Sequence, residues 1–289
     1  MKNDQFQKFL LEDLQIRGEW VRLEESWLEG LGNHSYPMPV ATLLGETTVA
    51  ALLLTGTLKF EGRLSIHARG QGALTLLMAE ATNARSFRCI ARYDEGFDEV
   101  LNRSEQSLKT LLGNAQLAIT IEPDKGARYQ GIVPMERASM ADCLAQYFEL
   151  SEQLDTHFLF HVTEKNCIGL MLQKLPDYRL SEDQDAWDRV VHLASTLSEN
   201  ELESNDNETL LHRVFHEEKV TLFEAEPVSF KCSCSRERSQ ASIEALGKEE
   251  ALEILETEAS ISVDCQFCGR HYEFDREDIH NLFSISSPH

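Results

Sequence analysis

Apolar residues change their spacing along the chain, and each change predicts a different kind of element. Between Ala41 and Leu58 the chain is rich in Leu and Ala with few breakers, which predicts a helix buried on every side. Beyond it the runs shorten. Residues 62–68, 73–79 and 87–93 alternate in part and are separated by Gly or Asn, as in an antiparallel meander. Residues 104–112 predict a helix stopped by Gly113. Leu117, Ile119 and Ile121 alternate strictly, residues 123–126 (Pro-Asp-Lys-Gly) supply a turn, and 129–133 return as the second arm of a hairpin. Ser139, with Asp142 three residues on, opens a helix carrying Leu144, Tyr147 and Phe148 on one face. Two strands follow, through Phe158, Phe160 and Val162 and through Ile168, Leu170 and Leu172. The expected class is α+β: an N-terminal mixed α and β domain with an antiparallel sheet over residues 1–177, then a helical linker, then a small C-terminal zinc-binding module.

The linker, 178–228, is acidic yet patterned. Between Arg179 and Pro227 stand 13 acidic and 4 basic residues. Trp187, Val190, Val191, Ala194 and Leu197 nevertheless fall at helical spacing, as do Leu210, Leu211, Val214 and Phe215. Such short amphipathic helices are marginal in water, so their order must come from packing on a neighbour. An ordinary helical connection and a conditional switch both fit this pattern. In the module, 229–289, helices are expected over 240–246, ending at Gly247, and over 249–255. A hairpin of 261–263 with 271–274 is expected next, and then a last helix opened by Asp275 and Asp278 that carries Ile279 and Leu282.

Composition narrows the function. At 289 residues and 42% hydrophobic, the chain can bury one large core and a smaller one. A net charge of −22 argues against unassisted binding to nucleic acid and favours solubility. The first twenty residues are studded with charge, so no signal peptide is expected, and the longest apolar run, 49–58, is too short to cross a membrane. With clustered cysteines that must stay reduced to bind metal, the cytoplasm is the expected compartment. Nothing assembles a catalytic set, so no enzyme is expected. Gly70-Gln71-Gly72 lacks the rest of a phosphate loop, and His67, His157 and His161 have no nucleophile or carboxylate at a recognisable spacing. Cys89, Cys143 and Cys167 lie in periodic segments and are expected as buried small apolar residues.

The remaining four of the seven cysteines form two pairs: Cys232 and Cys234 as C-x-C, Cys265 and Cys268 as C-x-x-C, with 30 residues between the pairs. Four thiolates close a tetrahedral zinc site, and two clustered pairs divided by a loop are a common way to supply them. His271 is a fifth candidate ligand. Lys231, Arg236, Arg238 and Arg270 flank the pairs in an otherwise acidic chain, and nearby cations favour thiolate over thiol. A constitutive structural site and one that holds metal yet can be oxidised both remain open. A module of this size has a meagre core, so losing the metal should melt it. Disulfides between neighbouring cysteines would leave the long loop untied, whereas crossed pairs would staple it.

These residues resemble the heat shock protein 33 family, the redox-regulated holdase chaperones also called 33 kDa chaperonin. The likeness is close over 230–238, 263–268 and 272–275, and extends through 206–213 and 215–218. Weaker echoes at 17–18, 43–46, 58–62, 128–134 and 151–154 carry it over essentially the whole chain. Residues 69–73 (Arg-Gly-Gln-Gly-Ala), with Arg88 and Cys89, depart from the family pattern but leave all four ligand positions intact.

The resemblance implies an ATP-independent chaperone, inactive when reduced and loaded with one zinc ion on Cys232, Cys234, Cys265 and Cys268. It implies redox-active disulfides Cys232–Cys234 and Cys265–Cys268 on oxidation, with zinc release and unfolding of module and linker. Exposed apolar residues would then bind unfolding client proteins, with homodimerisation on oxidation and later transfer to the heat shock protein 70 system. No nucleic acid and no membrane are expected as partners. The alternatives are a constitutive zinc-stabilised adaptor and a thiol-disulfide oxidoreductase using Cys265 and Cys268; the latter is disfavoured because this C-x-x-C follows a short strand instead of opening a helix.

Overall fold

The computed structural model describes residues 4–32, 34–59, 61–94, 97, 107–176, 183 and 185–285. It divides into two compact units, Met1–Leu31 with Ser35–Phe230, and Gly32–His34 with Lys231–His289. The boundary expected at 177 and 178 lies outside the described residues, and so does the start of the helix expected from Ser104.

The first unit begins with strands β1 (Gln5–Leu11) and β2 (Ile16–Leu23) and helices α1 (Glu25–Leu31) and α2 (Met38–Thr55). Strands β3 (Gly62–Arg69), β4 (Leu74–Thr82) and β5 (Ser86–Tyr93) follow, then α3 (Leu108–Leu112), β6 (Gln116–Pro123), β7 (Tyr129–Pro134), α4 (Met140–Tyr147), β8 (Thr156–Val162) and β9 (Cys167–Lys174). Three helices come next, α5 (Ala186–Ala194), α6 (Glu199–Ser204) and α7 (Asn207–Val214), and then three short strands, β10 (Val220–Leu222), β11 (Glu226–Pro227) and β12 (Ser229–Phe230).

The strands form two sheets. One runs β10-β1-β2-β9-β8, with β11 also on β1; the other runs β12-β5-β4-β3-β6-β7. The meander and the hairpin have the pairings their alternation predicts, joined into a single sheet by β3 beside β6. Helix α2 lies in the core shared by the sheets, with Val49 to Leu54 all buried. It starts three residues before the expected position, behind Pro37, and ends at Gly56. By length and composition it could cross a membrane, yet it is the core helix of this unit. The hydroxyls of Thr47 and Thr48 are satisfied internally, donating to the carbonyls of Leu43 (2.6 Å) and Leu44 (2.7 Å).

The first sheet is apolar on both faces, and this decides how the acidic segment is held. Phe6, Val21, Leu23, Cys167 and Met171 point into the α2 core. Phe9, Leu11, Ile16, Trp20, Ile168, Leu170 and Leu172 point the other way, where they meet Val190, Ala194, Leu202, Leu210, Leu211 and Phe215. The acidic segment therefore lays its apolar stripe on a sheet face that is itself hydrophobic. It continues along the edge of β1, where Val220–Leu222 pairs with Phe9–Leu11 and Glu226–Pro227 with Gln5–Phe6. Arg22, buried in β2, donates to the carbonyls of Leu202 (2.7 Å) and Asn205 (2.9 Å) at the C-terminal end of α6.

Phe9 faces Gly18 across β1 and β2, and a Cβ at residue 18 would overlap the Phe9 ring. Gly18→Ala should therefore destabilise the protein by about 2 kcal/mol, the scale of overpacking a core. Because Phe9 belongs to the helix-facing cluster, amide exchange should rise more in α5–α7 than in β3–β6.

The second unit carries helices α8 (Arg236–Leu246) and α9 (Lys248–Thr257), the hairpin β13 (Ile261–Asp264) and β14 (His271–Phe274), and helix α10 (Arg276–Ile285). Its buried hydrophobic core is small: Ile243, Ala251, Leu255, Ile261, Phe274 and Ile279.

Candidate metal centre

Two pieces of local structure bring the four cysteines together. Cys265 to Gly269 form a tight knuckle after β13: the amide of Gly269 donates to the carbonyl of Cys265 (2.8 Å), and that of Cys265 to the carbonyl of Arg270 (2.9 Å). Gly269 takes the left-handed conformation the knuckle requires, with φ 68°. Cys232 and Cys234 lie in the extended stretch before α8, which Ser235 caps by accepting from the amide of Arg238 (3.3 Å). The Arg238 guanidinium reaches back to the carbonyl (2.8 Å) and hydroxyl (2.7 Å) of Ser233 and fixes the residue between the two thiols.

All four Sγ atoms lie within 4.8 Å of one another. Cys232 and Cys265 are 3.5 Å apart, as are Cys234 and Cys268. A tetrahedron with zinc–sulfur bonds of ~2.3 Å has edges of about 3.8 Å. The sulfur set therefore fits a tetrahedral thiophilic ion, with all four donors on hand and half-buried.

The three arginines flanking the sulfurs are not equivalent. Arg236 pairs with Asp278 (2.6 Å) and lies 4.3 Å from the Phe274 ring, and Arg238 is committed to Ser233. Arg270 interacts with Tyr272 and with the charges of Cys234 and Cys268, which together raise its pKa. Burial pushes the Cys232 and Cys268 thiols up. Burial also opposes ionisation of Cys234, but the Tyr272 hydroxyl, which donates to its sulfur at 3.2 Å, and the other three thiols outweigh it and bring Cys234 to about 7.

His271 is engaged elsewhere. Its Nδ1 lies 2.7 Å from Asp264 and its Nε2 3.3 Å from Glu273, so it takes no place among the sulfurs. Cys89, Cys143 and Cys167 are buried in the α2 core, and burial raises all three thiols, Cys89 to about 12. They are poor nucleophiles, in contrast with Cys234.

Similarity to known proteins runs the length of the chain. A family model described as Hsp33 protein matches residues 4–275. The chain belongs to the Hsp33 family. It is similar to the 33 kDa chaperonin of Ectopseudomonas mendocina, at 48% identity over 98% of this chain and 96% of the relative. It is likewise similar to that of Pseudomonas savastanoi pv. phaseolicola, at 46% identity over 98% of this chain and 95% of the relative. The crystal structure of the 33 kDa chaperonin (heat shock protein 33 homolog) from Thermotoga maritima shares the fold, with TM-score 0.82 and 21% identity over 99% of this chain and 100% of that one.

In this Hsp33-family chain the four cysteines singled out by spacing are the ones the fold gathers. Spacing did not reveal Tyr272. Its position two residues before the buried Phe274 places it on the inward face of β14, and that alternation is the signal that identifies it. Groups that hydrogen-bond a metal ligand typically tune affinity 10- to 100-fold. With zinc as the ion, Tyr272→Phe should weaken binding by roughly tenfold, measured by competition with a chromogenic chelator, while leaving the folded, loaded module intact.

Proposed function

We propose that the chain is an ATP-independent holdase switched on by oxidation of its metal centre. Cys232, Cys234, Cys265 and Cys268 would hold one zinc ion, which when bound cross-links the knuckle to the stretch before α8. Residues 178–228 act as the linker between the metal-binding module and the N-terminal domain. The observation that carries this reading is the second apolar face of the first sheet, covered by the same segment that runs directly into the cysteine module.

On oxidation two thiols of a pair form one S–S bond, giving two electrons to hypochlorite, which leaves as chloride while the two protons and its oxygen form water. Following the family resemblance, the pairs are Cys232–Cys234 and Cys265–Cys268. These close small rings and leave the 30-residue loop untied. With its ligands gone the module loses its order, and helices α5–α7 lose the folded unit that follows them. Their release bares Phe9, Leu11, Trp20 and Leu170 for unfolding clients. The resemblance adds homodimerisation on oxidation, hand-over of clients to the heat shock protein 70 system and residence in the cytoplasm.

Zinc release and thiol count in hypochlorite, measured beside aggregation of a heat-denatured client, test the proposal. Protection should appear as the four thiols are lost. Equal protection by the reduced zinc form would overturn it, and loss of binding on oxidation would favour a constitutive adaptor.

A further inference from the structure

The docked segment is fastened at its far end by a polar cluster. Arg85, in the turn between β4 and β5, is 6% exposed and has a left-handed backbone, φ 56°. Its guanidinium forks onto Glu226 of β11, Nε to one carboxylate oxygen at 2.9 Å and Nη2 to the other at 3.2 Å. It also donates to Thr55 Oγ1 (2.7 Å) and lies 3.7 Å from the centre of the Phe6 ring. The Arg85 carbonyl accepts from the amide of Ser229 (3.0 Å), two residues before the cysteine module begins. One residue thus holds both the side chain and the backbone of the chain that enters the module.

A second carboxyl group faces the same place. Glu19 of β2 is 1% exposed, and its Oε2 has no hydrogen-bond partner among the described residues. It lies against Gly56, at the C-terminal end of α2, where a Cβ would overlap it. The charged groups around it are Arg17 on its own strand, Lys8 on β1, Arg85 in the β4–β5 turn and Glu226 on β11. Two of the cations are otherwise engaged: Lys8 donates to the Gly56 carbonyl (2.9 Å), and Arg17 to Gln173. Arg85 is held by Glu226.

We propose that Arg85 is a shared clasp: it holds Glu226 and so keeps residues 185–230 docked, while ionised Glu19 competes with Glu226 for it, making docking proton-linked. With the segment docked, Glu19 Oε2 is buried without a partner among the described residues, and releasing Glu226 removes a repelling carboxylate and frees a cation. Burial, reinforced by Glu226 and opposed by the three cations, raises the Glu19 carboxyl to about 7. The docked form then binds the extra proton. Docking is strongest below the ordinary carboxylate pKa, weakens by at most about tenfold per pH unit as pH rises from there to about 7, and levels off above it.

The inference deepens the proposed switch and rests on its premise that the segment undocks. Its test reads docking and not chaperone activity, so the two can fail separately. Amide exchange of residues 207–230 is followed in the reduced, zinc-loaded full chain from pH 5.5 to 8.0, corrected for intrinsic exchange, with β3–β6 as the internal fold control. Protection in the unaltered protein should fall at least tenfold across this range. Glu19→Gln, a stand-in for the protonated acid, should flatten the dependence, and Glu226→Gln or Arg85→Lys should lower protection at pH 6.0 by tenfold or more. A flat profile in the unaltered protein, an unchanged slope in Glu19→Gln, or unchanged protection in both clasp variants overturns the proposal.

Discussion

Replacing Cys268 by serine should unfold residues 231–285 while strands β3–β6 stay folded. The module's buried hydrophobic core is Ile243, Ala251, Leu255, Ile261, Phe274 and Ile279, too little apolar surface for a domain of this size to stand alone. A structural zinc site contributes on the order of 10 kcal/mol to folding, against a total stability of ~5 to 15 kcal/mol for a typical domain. Losing one thiolate of four removes enough of that term to melt the module. The three tryptophans, Trp20, Trp27 and Trp187, all precede it, so their fluorescence does not report on the module directly. Amides in α8–α10 should exchange at near-unprotected rates, while those in β3–β6 keep their protection.

The second large effect concerns the sheet face beneath the acidic helices. Phe215 is 1% exposed, with its ring 6.2 Å from that of Phe9. Phe215→Asp would place an unpaired carboxylate against Phe9 and Leu211, a change that costs roughly 3 kcal/mol or more when the group cannot reach water. The cheapest escape is release of the helices. In the reduced protein tryptophan emission should therefore shift to the red as Trp20 is uncovered. On the proposed function, aggregation of a heat-denatured client should also be suppressed without oxidant. Red-shifted emission with no suppression would mean that the uncovered face does not bind clients.

The metal centre was legible because its information is local. C-x-C and C-x-x-C state both halves of the site in a few residues each, and Asp275 with Asp278 marks the last helix by a side-chain cap that the structure contains at 2.9 Å. The meander 62–93 and the hairpin 116–134 were legible for the same reason, since each strand pairs with a sequence neighbour.

Strands β1 and β2 were not. Their pattern lacks alternation because both faces are buried: Phe6 and Val21 face one core, Phe9 and Trp20 the other. Their partners β9 and β10 also lie far off in sequence. The same distance hid the role of the acidic segment, whose helices were visible by period while the surface they cover was not. Arg85 and Glu226 carry no local signal at all, being joined only by the fold.

On the proposed mechanism the order of helices α5–α7 depends on the metal centre. Amide exchange of residues 186–230, recorded before and after hypochlorite in the same sample in which zinc is quantified, tests it most directly. The account predicts that loss of one zinc per chain is accompanied by at least a hundredfold faster exchange in α5–α7, with β3–β6 unchanged. Complete loss of zinc with exchange in α5–α7 as slow as before would contradict it.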